Sequence, residues 1–569
     1  MPTDVNCRER IRSHLNRLYP GDVEGTLAEL VARIDKAASA IPARRAVWDQ
    51  TDCVLITYGD QVSQDGEAPL ETLRNFLLRH DLESLLSIVH VLPFFPYSSD
   101  DGFSVIDYRR VDPVLGDWSD VAALGKSFDL MFDLVVNHCS RHSEWFQKYL
   151  AGEEPYAGYF IEADPCDDVS LVTRPRSHPL LTPFETSRET RHVWTTFSDD
   201  QVDLNFAAPS VLIEMIDVLL FYLQRGARII RLDAIAYLWK ELGTSCIHLP
   251  QTHEVVKLMR TVVDAVAPGT ILLTETNVPH KENVSYYGNG DEAQMVYQFS
   301  LAPLLAEALQ TGDASVLNHW LAGLEPTPPG TTVLNFTASH DGIGIRPLEG
   351  IMPSDRAERF VEAVQRRGGR VSMKRNTDGS ESPYELNITY FDVVADPDRP
   401  DPLSHVRRFL AGQAVMLSLK GIPGIYFHSL VGTPNDLAGV RQTGRARTIN
   451  RRKFRLEELE ATLDRAGSPQ AQVFEGYCRL LDVRRRQPAF HPEALQRVIR
   501  TEAPAVVAVV RESTTPFQRL LVLANLGHQA VPVEVEGLIG AQPKRDLLNL
   551  DPVGPAVALA PYQVRWLEF

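Results

Sequence analysis

The stretch Arg231-Leu232-Asp233-Ala234-Ile235-Ala236-Tyr237 decides how this chain is read. It follows Ala227-Arg228-Ile229-Ile230, an Ile-rich run that reads as a short buried strand. A strand ending in Arg-x-Asp carries a charged pair at its C-terminal tip. In a parallel α/β barrel that tip faces the active-site mouth, because the βα loops there vary without disturbing the core. Arg231 and Asp233 are two residues apart and so share one face of the strand. An Arg beside a carboxylate holds it ionised at neutral pH, which suits a nucleophile. The same pair would also serve as a structural ion pair at a strand end.

The company of this strand separates the two readings. Thr270-Ile271-Leu272-Leu273-Thr274-Glu275 is a second apolar run ending in a carboxylate. A third, Thr332-Val333-Leu334-Asn335-Phe336-Thr337-Ala338-Ser339, runs into His340-Asp341, and a fourth, from Leu130 to Val136, runs into Asn137-His138. One such ending says little. Four, in the order Asn-His, Arg-x-Asp, Glu, His-Asp, resemble the signature regions of the α-amylase superfamily, glycoside hydrolase family 13. That family consists of retaining enzymes that process α-glucosides.

Composition sets outer limits. At 569 residues the chain exceeds one ordinary hydrophobic core, so one large domain with satellites is expected. A net charge of −17 argues against nucleic acid or an anionic membrane as partner. The six cysteines are scattered without a Cys-x-x-Cys pair, which suggests neither a disulfide framework nor a zinc site. No basic-then-apolar leader opens the chain and no run of about 18 apolar residues occurs, so a cytoplasmic protein is expected.

Outward from the opening stretch, strand and helix signals alternate. Strand candidates at 53–60 and 85–93 and helix candidates at 69–80, 117–126 and 211–223 imply βα units and a parallel α/β sheet. The rhythm breaks for about sixty residues after His138, and again between Asp341 and about Arg407; from about 500 the pattern is all strand. The resemblance implies a (β/α)8 TIM barrel over 51–138 and 205–490, behind an N-terminal helical extension over 1–50. It further implies an inserted domain B over 139–204 after strand 3 and a second insertion with an acceptor loop over 342–405 after strand 7. An antiparallel β domain over 495–569 completes it.

The same resemblance assigns roles. Asp233 falls on the family's nucleophile, Glu275 on its acid/base and Asp341 on the carboxylate that stabilises the transition state. Arg231 should hold Asp233 anionic, while closely spaced carboxylates should raise the pKa of Glu275. His138 and His340 match histidines that hydrogen-bond sugar hydroxyls. Asp100-Asp101-Gly102-Phe103, Lys240-Glu241-Leu242-Gly243-Thr244-Ser245-Cys246 and Ile449-Asn450-Arg451 resemble the sucrose-phosphorylase-like branch, in which Asp100, Phe103 and Arg451 would contact glucose. Arg176, Tyr237, Tyr384 and Asn387 match its acceptor and phosphate positions. Asn277 departs from it, standing where sucrose phosphorylases carry a His.

That departure, with Thr274 to Asn283, Phe197 to Gln201 and Ser382 to Asn387, resembles the glucosylglycerate phosphorylases instead. The expected reaction is phosphorolysis of 2-O-α-D-glucosyl-D-glycerate to α-D-glucose 1-phosphate and D-glycerate. An acceptor carboxylate calls for a cation, for which Lys281, Arg174 and Arg346 are candidates. The expectations include inorganic phosphate as co-substrate, no other cofactor, no metal, and small-molecule partners only, with a homodimer left open because related enzymes often dimerise. Sucrose, sucrose 6'-phosphate and glucosylglycerol phosphorylases, a plain α-glucosidase and an inactive amylase-like binding subunit are the alternatives.

Overall fold

A computed structural model describes residues 3–42, 48–376, 379–549 and 553–569. Its centre is a closed barrel of eight strands: β1 Val54–Thr57, β2 Ile88–Val91, β3 Asp129–Val135, β4 Ala227–Asp233, β5 Ile271–Thr274, β6 Met295–Tyr297, β7 Thr332–Phe336 and β8 Ile422–Tyr426. Each pairs in parallel with its chain neighbours, and β8 closes against β1. Nearly every strand residue is buried, as a sheet covered on both faces requires. The expected α/β barrel is therefore the fold that the chain adopts. No helix among the described residues is long and apolar enough to cross a membrane.

Several strand ends differ from expectation. β3 stops at Val135, and His138–Ser140 leaves the barrel to pair antiparallel with Gln201–Asp203. The run Gly424-Ile425-Tyr426-Phe427-His428 reads in sequence as the eighth strand, but its last two residues open a short helix, Phe427–Leu430. Val535, expected in a strand, opens the helix Val535–Ile539. The sixth strand was not anticipated: three residues are too few to show a period.

The segment between β3 and β4 carries the hairpin Leu181–Glu185/Thr190–Trp194 over a small apolar cluster of Val172, Leu180, Trp194 and Cys246. Between β7 and β8, Ile343–Gly344 and the hairpin Arg370–Arg375/Glu381–Asn387 form a three-stranded sheet. A five-stranded antiparallel sheet follows the barrel, with Leu495–Val498 at one edge and Arg545–Asp546 at the other. The stretch expected helical near the N-terminus forms helices Val5–Leu18 and Glu24–Ala38, which pack on the barrel helices Pro250–Val266 and Pro209–Gln224. His14 and Arg17 both reach the carboxylate of Glu254 there, at 2.6 and 2.7 Å. Residues 43–47 of that stretch lie outside the described ones.

Candidate active site

Register positions the first two carboxylates. Arg231 on β4 pairs with Leu273 on β5, and Leu232 with Thr274. The Glu275 N–H then donates to the Leu232 carbonyl at 3.1 Å, so Asp233 and Glu275 occupy the next rung of adjacent strands. Neighbouring strands run about 4.8 Å apart, close to the roughly 5–5.5 Å that separates the carboxyl groups of a retaining glycosidase. Ala234, directly after Asp233, turns into the left-handed region (φ 51°) and donates its N–H to Glu275 Oε2 at 3.1 Å. Asp341 arrives from the loop after β7 and lines the same cavity.

Arg231 is buried and shared. Its Nη1 donates to Asp233 Oδ1 at 2.5 Å and to Asp133 Oδ1 at 2.6 Å, and its Nη2 lies 3.9 Å from Glu275 Oε2. Asp133, across the ladder from Arg231, also takes His90 Nε2 at 2.6 Å. Sharing changes the expected electrostatics. Burial raises the Asp233 carboxyl above its ordinary range, and Arg231 opposes that rise without reversing it. Burial pushes Glu275 up to about 7; the charges of Asp233 and Asp341 add to this, and Arg231 opposes it. Asp341 is held low: Arg447 and Arg451 outweigh its burial. His138 and His340 are pushed down by burial and stay neutral at pH 7.

The lining of this cavity, about 60 Å³ in volume, includes Asp100, Phe103, His138, Arg176 and Asn277 together with the three carboxylates, His340 and Tyr384. Phe103 stacks on His340 at 4.6 Å between ring centroids. It is held by the left-handed turn Asp100-Asp101-Gly102, where a Cβ on Gly102 would stand 2.5 Å from the Pro93 carbonyl oxygen. His138 Nε2 lies 3.1 Å from the Phe103 carbonyl oxygen. Arg176 lies over the rings of Tyr384 and Phe197 at 5.2 and 5.8 Å. Asn277 Nδ2 donates to the Tyr384 hydroxyl at 3.4 Å, and Tyr237 packs edge-on against Phe197.

Three expected contacts fall elsewhere. Arg451 sits behind the cavity wall, donating to the His340 carbonyl at 2.8 Å and to Asp101 Oδ2 at 2.6 Å. Asn387 is fully buried one pleat beyond Glu385 and donates to Ser372 Oγ at 2.8 Å. Lys281 is exposed, because the helix His280–Val284 turns Asn283 inward to bond Thr276. Arg174 and Arg346 line a second chamber that shares Tyr384 with the first.

Four residues that the sequence reading gave no role also line the inner cavity: Phe197, Gln201, Glu385 and Arg447. Phe197, Gln201 and Glu385 lay inside motifs already singled out. Arg447 had only its spacing of four from Arg451 to mark it. It binds Glu385 at 2.8 and 3.1 Å and Asp341 at 2.9 Å, and lies 3.5 Å from Asp100. Glu385 is 2% exposed and depends on this partner. Arg447→Ala therefore strands a buried charge and is expected to destabilise the fold by roughly 3–5 kcal/mol. Adding Glu385→Gln should restore much of that loss, read as melting temperatures of the single and double variants.

A larger cleft of about 900 Å³, lined by Trp320 and Leu419 of the barrel and by Leu495 and Pro516 of the sheet that follows it, includes none of the three carboxylates.

Residues 85–323 match the alpha amylase catalytic domain. The chain is 49% identical over 531 residues to a glucosylglycerate phosphorylase of Spirochaeta thermophila, covering 91% of this chain and 89% of that one. It is 44% identical to a glucosylglycerate phosphorylase of Escherichia coli, over 99% of this chain and 100% of that one. The solved structure of sucrose 6F-phosphate phosphorylase from Thermoanaerobacter thermosaccharolyticum superposes with a TM-score of 0.73 at 25% identity, covering 84% of this chain and 94% of that one. The chain belongs to the α-amylase family, glycoside hydrolase family 13, within the sucrose-phosphorylase-like branch that includes the glucosylglycerate phosphorylases.

Proposed function

We propose that this protein is a retaining glycoside phosphorylase that converts 2-O-α-D-glucosyl-D-glycerate and phosphate to α-D-glucose 1-phosphate and D-glycerate. Relatives of that activity at 44–49% identity over nearly the whole chain support the substrate. One observation supports the chemistry above others. Two buried carboxyls on adjacent strand tips differ in environment: Asp233 is bonded to Arg231 at 2.5 Å, and Glu275 is raised to about 7.

In the first half-reaction Asp233 attacks the anomeric carbon as the C1–O bond to glycerate breaks, and the Glu275 proton passes to the departing oxygen. Once Asp233 is esterified its negative charge is gone, which removes one of the influences raising Glu275. Glu275 then favours its ionised form, ready to accept a proton from phosphate as a phosphate oxygen displaces Asp233 from C1. Two inversions leave the α configuration intact. Asp341, held anionic by Arg447 and Arg451, faces the positive charge that develops on the ring. In this reading Phe103, His138 and His340, which line the cavity, contact the glucosyl ring, and Arg176 and Tyr384, which line it too, contact the leaving group and phosphate.

The test is to incubate the protein with phosphate and, separately, glucosylglycerate, sucrose, sucrose 6'-phosphate and glucosylglycerol, assaying glucose 1-phosphate. Phosphate-dependent release of the α-anomer from glucosylglycerate is expected, together with much lower rates from the other donors. Release of free glucose at a rate independent of phosphate would overturn the phosphorylase reading.

A further inference from the structure

The second chamber, about 480 Å³, meets the catalytic cavity at Tyr384. Four cations line it: Arg174 from the first insertion, Arg346 just past β7, and Lys374 and Arg375 from the hairpin of the second insertion. No acidic side chain lines it among the described residues. Among the described residues, the carboxylates in ion-pair range of these cations stand outside the lining and reach them only weakly. Glu282 is 3.8 Å from Arg346, and Glu349 lies 3.9 Å from Arg346 and 3.6 Å from Lys374. Both are about half exposed, so solvent screens them.

The cations are short of partners in other ways. The Nε atoms of Arg174 and Arg346 are buried without a hydrogen bond. Burial and the neighbouring Arg346 push Lys374 below its usual range; burial and Arg375 do the same to Arg174. Four like charges around one space raise each other's energy unless an anion enters. The molecule as a whole carries a net charge of −17 and repels anions, so this local inversion of sign matters for anything negative approaching the carboxylates.

We infer that Arg174, Arg346, Lys374 and Arg375 form an anion-binding antechamber that takes a small oxyanion, carboxylate or phosphate, on its way to or from the catalytic cavity. This rests on the phosphorylase reading, in which every reactant and product carries negative charge: glucosylglycerate, phosphate, glucose 1-phosphate and glycerate. The planar forks of Arg174, Arg346 and Arg375 suit the two oxygens of a carboxylate or phosphate, and Lys374 adds a movable point charge. The four come from the two insertions into the barrel, Arg174 from the first and Arg346, Lys374 and Arg375 from the second.

The experiment compares wild type with Lys374→Met/Arg375→Met and with Arg346→Met. In the synthetic direction, KM is measured for D-glycerate and for neutral glycerol with α-glucose 1-phosphate as donor. In the phosphorolytic direction, KM is measured for phosphate. Losing a hydrogen bond to a charged group should raise KM for the anion about 10- to 100-fold, with kcat and the glycerol reaction much less affected. A rise for glycerate alone assigns the chamber to the carboxylate, a rise for phosphate alone assigns it to phosphate, and a rise for both makes it common ground. Lys374→Arg should retain affinity, which a purely structural role for the hairpin would not require. Unchanged KM values in variants that fold as wild type would overturn the antechamber. A wild-type enzyme that makes no glucosylglycerate from glucose 1-phosphate and glycerate would instead overturn the reading on which it rests.

Discussion

Asp233→Asn should lower phosphorolysis by about 10⁵-fold, the scale on which removing a covalent nucleophile acts. Asn keeps the shape of the side chain and can still accept from Arg231, so the barrel should fold as before. What disappears is the negative oxygen that, in the proposed mechanism, bonds to the anomeric carbon. Arg231 keeps Asp133 at 2.6 Å as a partner and does not become an unpaired buried charge. Because burial already disfavours the ionised form of Asp233, the neutral variant should melt at the same temperature as wild type or higher. Loss of activity together with a retained or raised melting temperature is therefore the expected pair of results. Residual turnover within tenfold of wild type would remove Asp233 from the nucleophile's role.

The carboxylates were legible because their position is set by local rules. An apolar run that ends abruptly in a titratable residue marks a strand tip, and four such tips in a fixed order are hard to obtain otherwise. Glu275 needed only the strand pairing to land beside Asp233. What the sequence could not show was how charge is shared among strands distant in the chain. Arg231 reads as the private partner of Asp233, two residues away. The fold gives it a second carboxylate, Asp133, from 98 residues earlier, and this sharing leaves burial as the dominant influence on Asp233.

The outer shell was legible only as motifs. Asp100-Asp101-Gly102-Phe103 announced a special turn through its glycine, and the backbone there is left-handed at three successive residues. Ile449-Asn450-Arg451 pointed at Arg451, yet it is Arg447, one helical turn earlier, that faces the cavity. Nothing periodic distinguishes the two arginines. Only the positions of Glu385 and Asp341, brought in by an insertion and by β7, decide which one turns inward. Of the chamber cations, Arg174 and Arg346 stand among the sequence's candidates for an acceptor carboxylate, whereas Lys374 and Arg375 are ordinary hairpin residues until the two insertions meet.

Glu275→Gln should produce a loss that depends on the leaving group. With glucosylglycerate, whose alkoxide leaves poorly without a proton, the rate should fall by about 10²–10⁴-fold, the usual contribution of general acid–base catalysis. With α-glucosyl fluoride, which leaves without protonation, glucosylation of Asp233 should survive far better, and the glucosyl-enzyme should accumulate to levels visible by intact-protein mass spectrometry. In wild type, kcat/KM for glucosylglycerate should decline as pH rises through about 7, because Glu275 must be protonated in the free enzyme to act as acid. That descending limb should vanish in the Gln variant.

The same raised pKa makes a stability prediction of definite sign. Glu275 titrates at about 7 in the fold against 4.5 in the unfolded chain, so the folded state binds the proton more tightly. Wild-type stability from this group is fully present below the unfolded value and is lost as pH rises through the folded value. Gln carries no such penalty. The Gln variant should therefore match wild type near pH 4 and exceed it above pH 7, by up to roughly 3 kcal/mol at 1.36 kcal/mol per pKa unit. Melting curves of the two proteins across that range give the comparison directly. A gap that fails to widen with pH would mean that Glu275 is not held protonated, and the acid of the first half-reaction would have to be sought in another residue.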